Sequence, residues 1–176
     1  EMCIRDSPIT KTAEGYTFEI DENQNATLIK TDILAETIEI PSEISSYKVK
    51  KLSCVEEAAL VGVSLTGVFE GNNVVKEIII PEGLVETYGP AIANCYNLEK
   101  ITIPGTMTTF DVVRCDNLKE VNIVDGDTIT ESFSFSDCSG LEEIYLPKQI
   151  NKISTNAFAR CYSLKNVKFS KNVYCI

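Results

Sequence analysis

At 176 residues the chain is long enough for one domain with a sizeable core, and 44% hydrophobic content excludes a disordered polypeptide. A net charge of -10 with no basic run argues against nucleic acid or an anionic membrane surface as the main partner. No stretch approaches the ~18 apolar residues that membrane insertion requires, the opening EMCIRDSP lacks the apolar core of a signal peptide, and histidine is absent, which weighs against an enzyme by removing the usual general base and the commonest metal ligand.

Residues 1–15 carry no period and read as a loose leader. From Tyr16 the pattern alternates: Tyr16, Phe18 and Ile20 share a face, Asp21 to Asn25 is polar, and Ala26 to Ile29 resumes. This predicts a β-hairpin with a five-residue connection, and the segment 16–37 is expected to cap one end of the coils beyond it. Asn25-Ala26-Thr27 fits a glycosylation acceptor, a tripeptide that also arises often by chance. A first coil, 38–81, begins with Ile38, Ile40 and Pro41 and continues through Tyr47, Val49 and Leu52. The insertion 54–67 interrupts it, with a helical turn expected over Glu56 to Val61 and an extended run over Val61 to Leu65. Two readings of the insertion stand: extra length tolerated on an edge of the stack, or a contact loop.

Beyond Phe69 the chain repeats. Leu141 recurs as Leu164, Cys138 as Cys161, Ile144 as Val167 and Leu146 as Phe169, each pair 23 residues apart. Strand ends fall at Ile80, Ile103, Ile123, Leu146 and Phe169, so the spacings are 23, 20, 23 and 23. Ahead of each strand stand Asn72, Cys95, Cys115, Cys138 and Cys161; after each stand Pro81, Pro104, Val124, Pro147 and Ser170. The repeats are 82–104, 105–124, 125–147 and 148–170, and 171–176 begins another, with Val173 and Ile176 in the places of Ile150 and Ile153. A period in this range marks a solenoid, and a chain that stops partway through a coil is expected to be a fragment. The 20-residue unit, shortened between Pro104 and Cys115, should make a visibly tighter coil.

The columns resemble the BspA-type leucine-rich repeat, approximately LxxIxIPxxVxxIxxxAFxxC, and the match is best in LEEIYLPKQINKISTNAFARC. Ala91-Ile92 and Ser134-Phe135 stand at the Ala-Phe positions of weaker copies. Asp127, Thr87 and Thr130 replace aliphatics, so the second and fourth coils are expected to be looser. The resemblance covers 38–176 and implies a curved, right-handed solenoid with a parallel strand sheet and short turns or helical turns on the other side. It also implies part of a larger microbial protein, extracellular or on the cell surface, that binds other proteins or host components, glycans included. No cofactor is implied; the expected unit is a monomeric module within a longer chain, with no membrane insertion and no nucleic acid partner.

Cys95, Cys115, Cys138 and Cys161 should face inward as free, buried thiols that act as small hydrophobes. Neighbouring bridges are not excluded by strand spacing alone, and Cys3, Cys54 and Cys175 stay unassigned. No CxxC exists for zinc, and a cysteine nucleophile would lack a histidine base. Asp125-Gly126-Asp127 lacks the rest of a calcium loop, while Glu56-Glu57 and Glu142-Glu143 are consecutive on strands and point to opposite faces. Three outward columns flank the inward aliphatics. Lys76, Glu99, Lys119, Glu142 and Lys165 alternate in sign, and Glu77, Lys100, Glu120, Glu143 and Asn166 oppose them in the first three coils, so the face should neutralise itself. The third column, Ile79, Thr102, Asn122, Tyr145 and Lys168, is the candidate binding face, with Tyr145 foremost because an exposed aromatic beside amide and hydroxyl groups suits recognition. The functional expectation is a non-enzymatic protein-binding or adhesion module. A structural spacer displaying another adhesin or enzyme domain is the alternative.

Overall fold

The computed structural model describes residues 9–59, 62–150, 152–153, 155–170 and 174–175. Part of the expected leader is structured: β1 (Ile9–Ala13) runs antiparallel to β2 (Tyr16–Ile20), which pairs antiparallel with β3 (Asn25–Thr31). Tyr16, Phe18, Ile20, Ala26 and Leu28 are buried, as the alternation predicts. The connection between β2 and β3 is shorter than five residues because Asn25 already belongs to β3. Asp21 closes it, its Oδ1 accepting from the amides of Asn23 at 2.9 Å and Asn25 at 2.8 Å, and Gln24 takes a positive φ of 61°.

Six strands then recur in chain order: β4 (Thr37–Glu39), β9 (Glu77–Ile79), β12 (Lys100–Ile103), β14 (Glu120–Ile123), β16 (Glu143–Leu146) and β18 (Asn166–Phe169). Opposite them lie β5 (Glu43–Ile44), β6 (Tyr47–Ser53), β10 (Glu86–Tyr88), β11 (Ile92–Ala93), β13 (Thr109–Val113), β15 (Ser132–Ser134), β17 (Lys152–Ile153) and β19 (Tyr174–Cys175). Coil-to-coil pairing is parallel on both sides, and β3 joins β6 in parallel, so the N-terminal hairpin extends the second sheet. No helix occurs among the described residues; short strands and turns take the place of the helical turns expected on that side. The insertion corrects a second expectation. Val55–Ala59 (β7) and Gly62–Thr66 (β8) form an antiparallel hairpin, in place of the helical turn expected over Glu56 to Val61. Val61, like Cys3, Val173 and Ile176, lies outside the described residues.

Inward aliphatics of both sheets meet in one continuous core. The first cross-strand steps bury one branched side chain over another, Ile38, Ile78 and Ile101 in turn. The leucines of the repeat, Leu98, Leu118 and Leu141, are fully covered. Stacking supplies what a lone coil lacks, because only the neighbours complete its ladder hydrogen bonds and dry contacts. Toward the C-terminal half the core turns aromatic. Phe110, Phe133, Phe135 and Phe158 have ring centroids 5.7 to 6.2 Å apart and so tie successive coils together.

Thr87 and Thr130 remain buried where looseness was expected, because each hydroxyl is used. Thr130 Oγ1 donates to the Met107 carbonyl at 3.1 Å, and Thr87 Oγ1 accepts from the Asp111 amide at 3.0 Å. Asp127 is turned into solvent and pairs with Lys148 at 2.8 Å. The short coil is the tight one: β13 runs straight through a region where the preceding coil breaks into β10 and β11, with Gly89 to Ala91 as the extra length.

Candidate functional site

The strand face is assembled by cross-strand register. Ile79 lies beside Thr102 and Thr102 beside Asn122, while Tyr145 lies beside Lys168. All five predicted residues therefore occupy one outward column, in two segments. Between β14 and β16 the two segments share no ladder, and the first sheet ends at β14. The gap is a groove of about 190 Å³ lined by Lys119, Glu120, Val121, Glu143, Ile144, Tyr145 and Lys168. Val121 shows the effect of the opening, since it is only half-buried although its neighbours in the same inward row, Ile101 and Ile144, are buried. Tyr145 is 48% exposed on the rim.

Coil length is felt on one side of the 20-residue coil. Against the preceding coil the offset changes between Glu86–Thr109 and Ile92–Val112, and the Gly89 to Ala91 bulge takes up the difference. Against the following coil the β13–β15 ladder and the β14 and β16 strands keep one offset, so the opening between β14 and β16 is not a register mismatch.

Charges on this face answer one another across strands. Lys76 pairs with Glu36 at 2.8 Å, Lys100 with Glu77 at 3.4 Å and Glu120 at 3.1 Å, Lys165 with Glu142 at 2.9 Å, and Lys168 reaches diagonally to Glu143 at 2.7 Å. The Lys165 ammonium holds the Glu142 carboxyl below its ordinary range, and Glu120 and Glu77 raise the Lys100 ammonium. Exposed pairs of this kind are screened by solvent and add little to stability. Their consequence is a nearly self-neutral surface on a strongly acidic chain.

The cysteine column is inward and thiol throughout. Cys95, Cys115, Cys138 and Cys161 are free and buried. Each donates weakly to a backbone carbonyl, as Cys161 Sγ does to Phe135 O at 2.9 Å. The hydrogen bond of its thiol to Cys115 and burial push Cys138 far up, and burial lifts Cys161 to about 11. For Cys115 the bond to Cys138 acts downward, but the bond to Cys95 and burial outweigh it. Such groups stay protonated and are poor nucleophiles. In the earliest repeat Asn72 takes the cysteine's place, and it is buried because its polar atoms are matched: Nδ2 donates to Ile33 O at 2.8 Å while Oδ1 accepts from the amides of Val74 and Val75 at 3.1 and 3.0 Å. Among the described residues no cluster of three or more acidic or cysteine side chains is placed to hold a metal, and no helix is long and apolar enough to cross a membrane.

Two features escape a reading of the sequence. The residue ahead of each column position, Gly71, Asn94, Arg114, Asp137 and Arg160, has a positive φ of 76, 55, 55, 59 and 57°. Every coil thus turns a left-handed corner into its inward Cys or Asn. Glycine and asparagine at the first two corners are the available signal; arginine twice in this role hides it. Corner side chains also pair along the stack, Asn94 Nδ2 to Glu70 at 3.0 Å and Arg160 in a forked pair with Asp137. The second feature lies on the opposite sheet, where Tyr88 and Asp111 face outward.

Comparison with known proteins agrees with this geometry. The model of the BspA type leucine rich repeat region matches residues 64–113 and 112–176 in six copies. No curated protein matches the chain. Among solved structures it is similar to a leucine rich cell surface protein of Faecalibacterium prausnitzii at 22% identity and a TM-score of 0.69, over 96% of this chain and 44% of that one. A leucine-rich repeat protein of Bacteroides capillosus is 20% identical with a TM-score of 0.54, over 92% and 98% of the two chains. The pneumococcal vaccine antigen PcpA is 15% identical with a TM-score of 0.57, over 94% and 51%. The chain thus spans less than half of the first protein and about half of the third, and at these identities the likeness is one of fold.

Proposed function

Because the chain belongs to the BspA-type leucine-rich repeat family, we propose that it is a non-enzymatic protein-binding module of a larger microbial surface or secreted protein, and that it engages its partner through the column Ile79, Thr102, Asn122, Tyr145 and Lys168. The observation that carries this reading is the groove between β14 and β16, with Tyr145 on its rim. Along β4, β9, β12 and β14 the strand ladder is closed; here a half-exposed aliphatic and an aromatic ring line a recess together with two lysines and two glutamates. Aromatic side chains over such recesses are the usual anchors of protein interfaces. The Faecalibacterium relative is a cell surface protein, which supports an outside location, and adhesion is the form of binding this location favours.

The paired charges favour a second reading, a spacer that displays another domain and binds nothing itself. Retention of host and microbial-community proteins on immobilised chain separates the two. Protein binding through this face predicts a discrete set that a Tyr145→Ala, Thr102→Ala variant fails to hold. Identical capture by wild type and variant sinks the strand-face assignment, and no capture by either favours the spacer.

A further inference from the structure

The outward row of the second sheet carries an anchor of a different kind. Asp111 sits in β13 between Phe110 and Val112, both buried, so its side chain points away from the core. Its carboxylate is half-buried and, among the described residues, has neither an ion pair nor a hydrogen bond. Acids on the strand face contrast with it, since Glu36, Glu77, Glu120, Glu142 and Glu143 all have lysine partners. Burial without compensation pushes the Asp111 carboxyl above its ordinary range. A charge held this way costs free energy that an incoming cation would recover.

Tyr88 lies on the neighbouring strand. The Asp111 amide donates to the hydroxyl of Thr87 at 3.0 Å, which places β13 directly against the residue before Tyr88. Thr87 turns inward and Tyr88 outward, 67% exposed, where β10 ends and the Gly89 to Ala91 bulge begins. Ser53 is the register partner of Tyr88, and Ser134 that of Asp111, so small hydroxyl side chains leave both flanks open.

We propose that Asp111 and Tyr88 form an anchor site for an arginine side chain carried on an extended segment of a protein partner, on the sheet opposite the Tyr145 face. A guanidinium is planar and weakly hydrated, so it can fork onto a carboxylate while its plane lies against a tyrosine ring. The net charge of -10 draws a basic segment toward the chain. The unpaired carboxylate decides where that segment seats. This assignment is independent of the strand-face reading and stands or falls without it.

The test is a nuclear magnetic resonance titration of the whole chain with acetyl-Gly-Arg-Gly-amide and with its lysine and citrulline counterparts. The arginine peptide is expected to shift the amide signals of Tyr88, Asp111 and Ser134 saturably, and the uncharged citrulline peptide to leave them unmoved. Asp111→Asn should weaken binding about tenfold or more, the usual size of a lost charge-assisted bond, and Tyr88→Ala should weaken it several-fold. Glu142→Gln should change nothing. Asp111→Asn removes only one of ten net charges, so equal binding by Asp111→Asn and Glu142→Gln would mean diffuse attraction to an acidic chain and overturn the site. A lysine peptide that binds as tightly as the arginine peptide overturns the guanidinium assignment. Should Asp111→Asn lose its dispersed spectrum, Asp111→Ser and Tyr88→Ala carry the comparison.

Discussion

Replacing Phe133 by alanine tests whether the aromatic cluster ties the C-terminal coils together. Phe133 is 2% exposed, and its ring centroid lies 5.7 Å from Phe110, 6.2 Å from Phe135 and 5.7 Å from Phe158. Removing a buried phenylalanine costs ~3–5 kcal/mol through lost burial and the cavity left behind. The upper half of that range is expected, because three ring partners lose their edge or stacking contact together. Urea unfolding followed by circular dichroism measures the loss, with Tyr162→Ala as the control. Tyr162 is 81% exposed, so its removal should cost no more than ~0.5 kcal/mol. In a solenoid the slope of the transition carries further information, since it scales with the surface exposed on unfolding. A steep single transition with a lower midpoint means that Phe133 couples the whole stack, and a shallower transition means that the coils beyond it unravel first. A loss below about 1.5 kcal/mol at unchanged slope would refute the view that the cluster is a structural tie.

The thiol column predicts a pH dependence of definite sign. Cys161 keeps its proton to about 11 when folded, against an ordinary value of 9.0; its contribution is therefore complete below the lower value and is lost as pH rises through the higher one. Wild type should lose more stability across that window than Cys161→Ala, and equal losses would contradict the burial argument. Thiol titration in denaturant without reductant should find nearly all seven cysteines reactive, whereas two or fewer would mean the column is bridged. At the left-handed corner, Arg114→Val should destabilise by ~1–2 kcal/mol, because a β-branched residue is strained at a φ of 55°, while Arg114→Gly should be neutral or slightly stabilising. Similar effects of the two substitutions in thermal unfolding would show that the corner is not strained.

The repeat, its register and its inward face were legible because they are written as identities at one spacing. Cys95 to Cys161 and Leu98 to Leu164 need no tertiary information to be aligned, and each inward residue repeats the environment of the one before it. The insertion was misread for the opposite reason. Glu56 to Val61 has no second copy to compare with, and its alanines and glutamates favour a helix that strand pairing with Gly62–Thr66 overrides. Residues 9–13 likewise have no period, and their strand exists through the partner Tyr16–Ile20. The column holding Tyr145 was legible from alternation, whereas the groove beside it was not. An opening between two ladders is set by packing across the stack, and a constant spacing between Val121 and Ile144 gives no sign of it.

The short coil accounts for one of the two candidate surfaces. A solenoid of identical units has every ladder closed and every outward column alike, which leaves no place on it distinct from the next. Shortening one coil breaks this equivalence on its N-terminal side. There the surplus of the longer coil forms the Gly89 to Ala91 bulge, where Tyr88 projects and Asp111 is half-covered with no partner among the described residues. On the C-terminal side the short coil and the next keep one offset along β13–β15 and between Val121 and Ile144, so the recess beside Tyr145 arises from packing and not from length. Lengthening the stretch between Pro104 and Cys115 to match the neighbouring coils should therefore release Asp111 and leave the groove unchanged, which the amide signals of Asp111 and Val121 would register in one experiment. Movement of both signals would mean that the two surfaces share an origin in coil length.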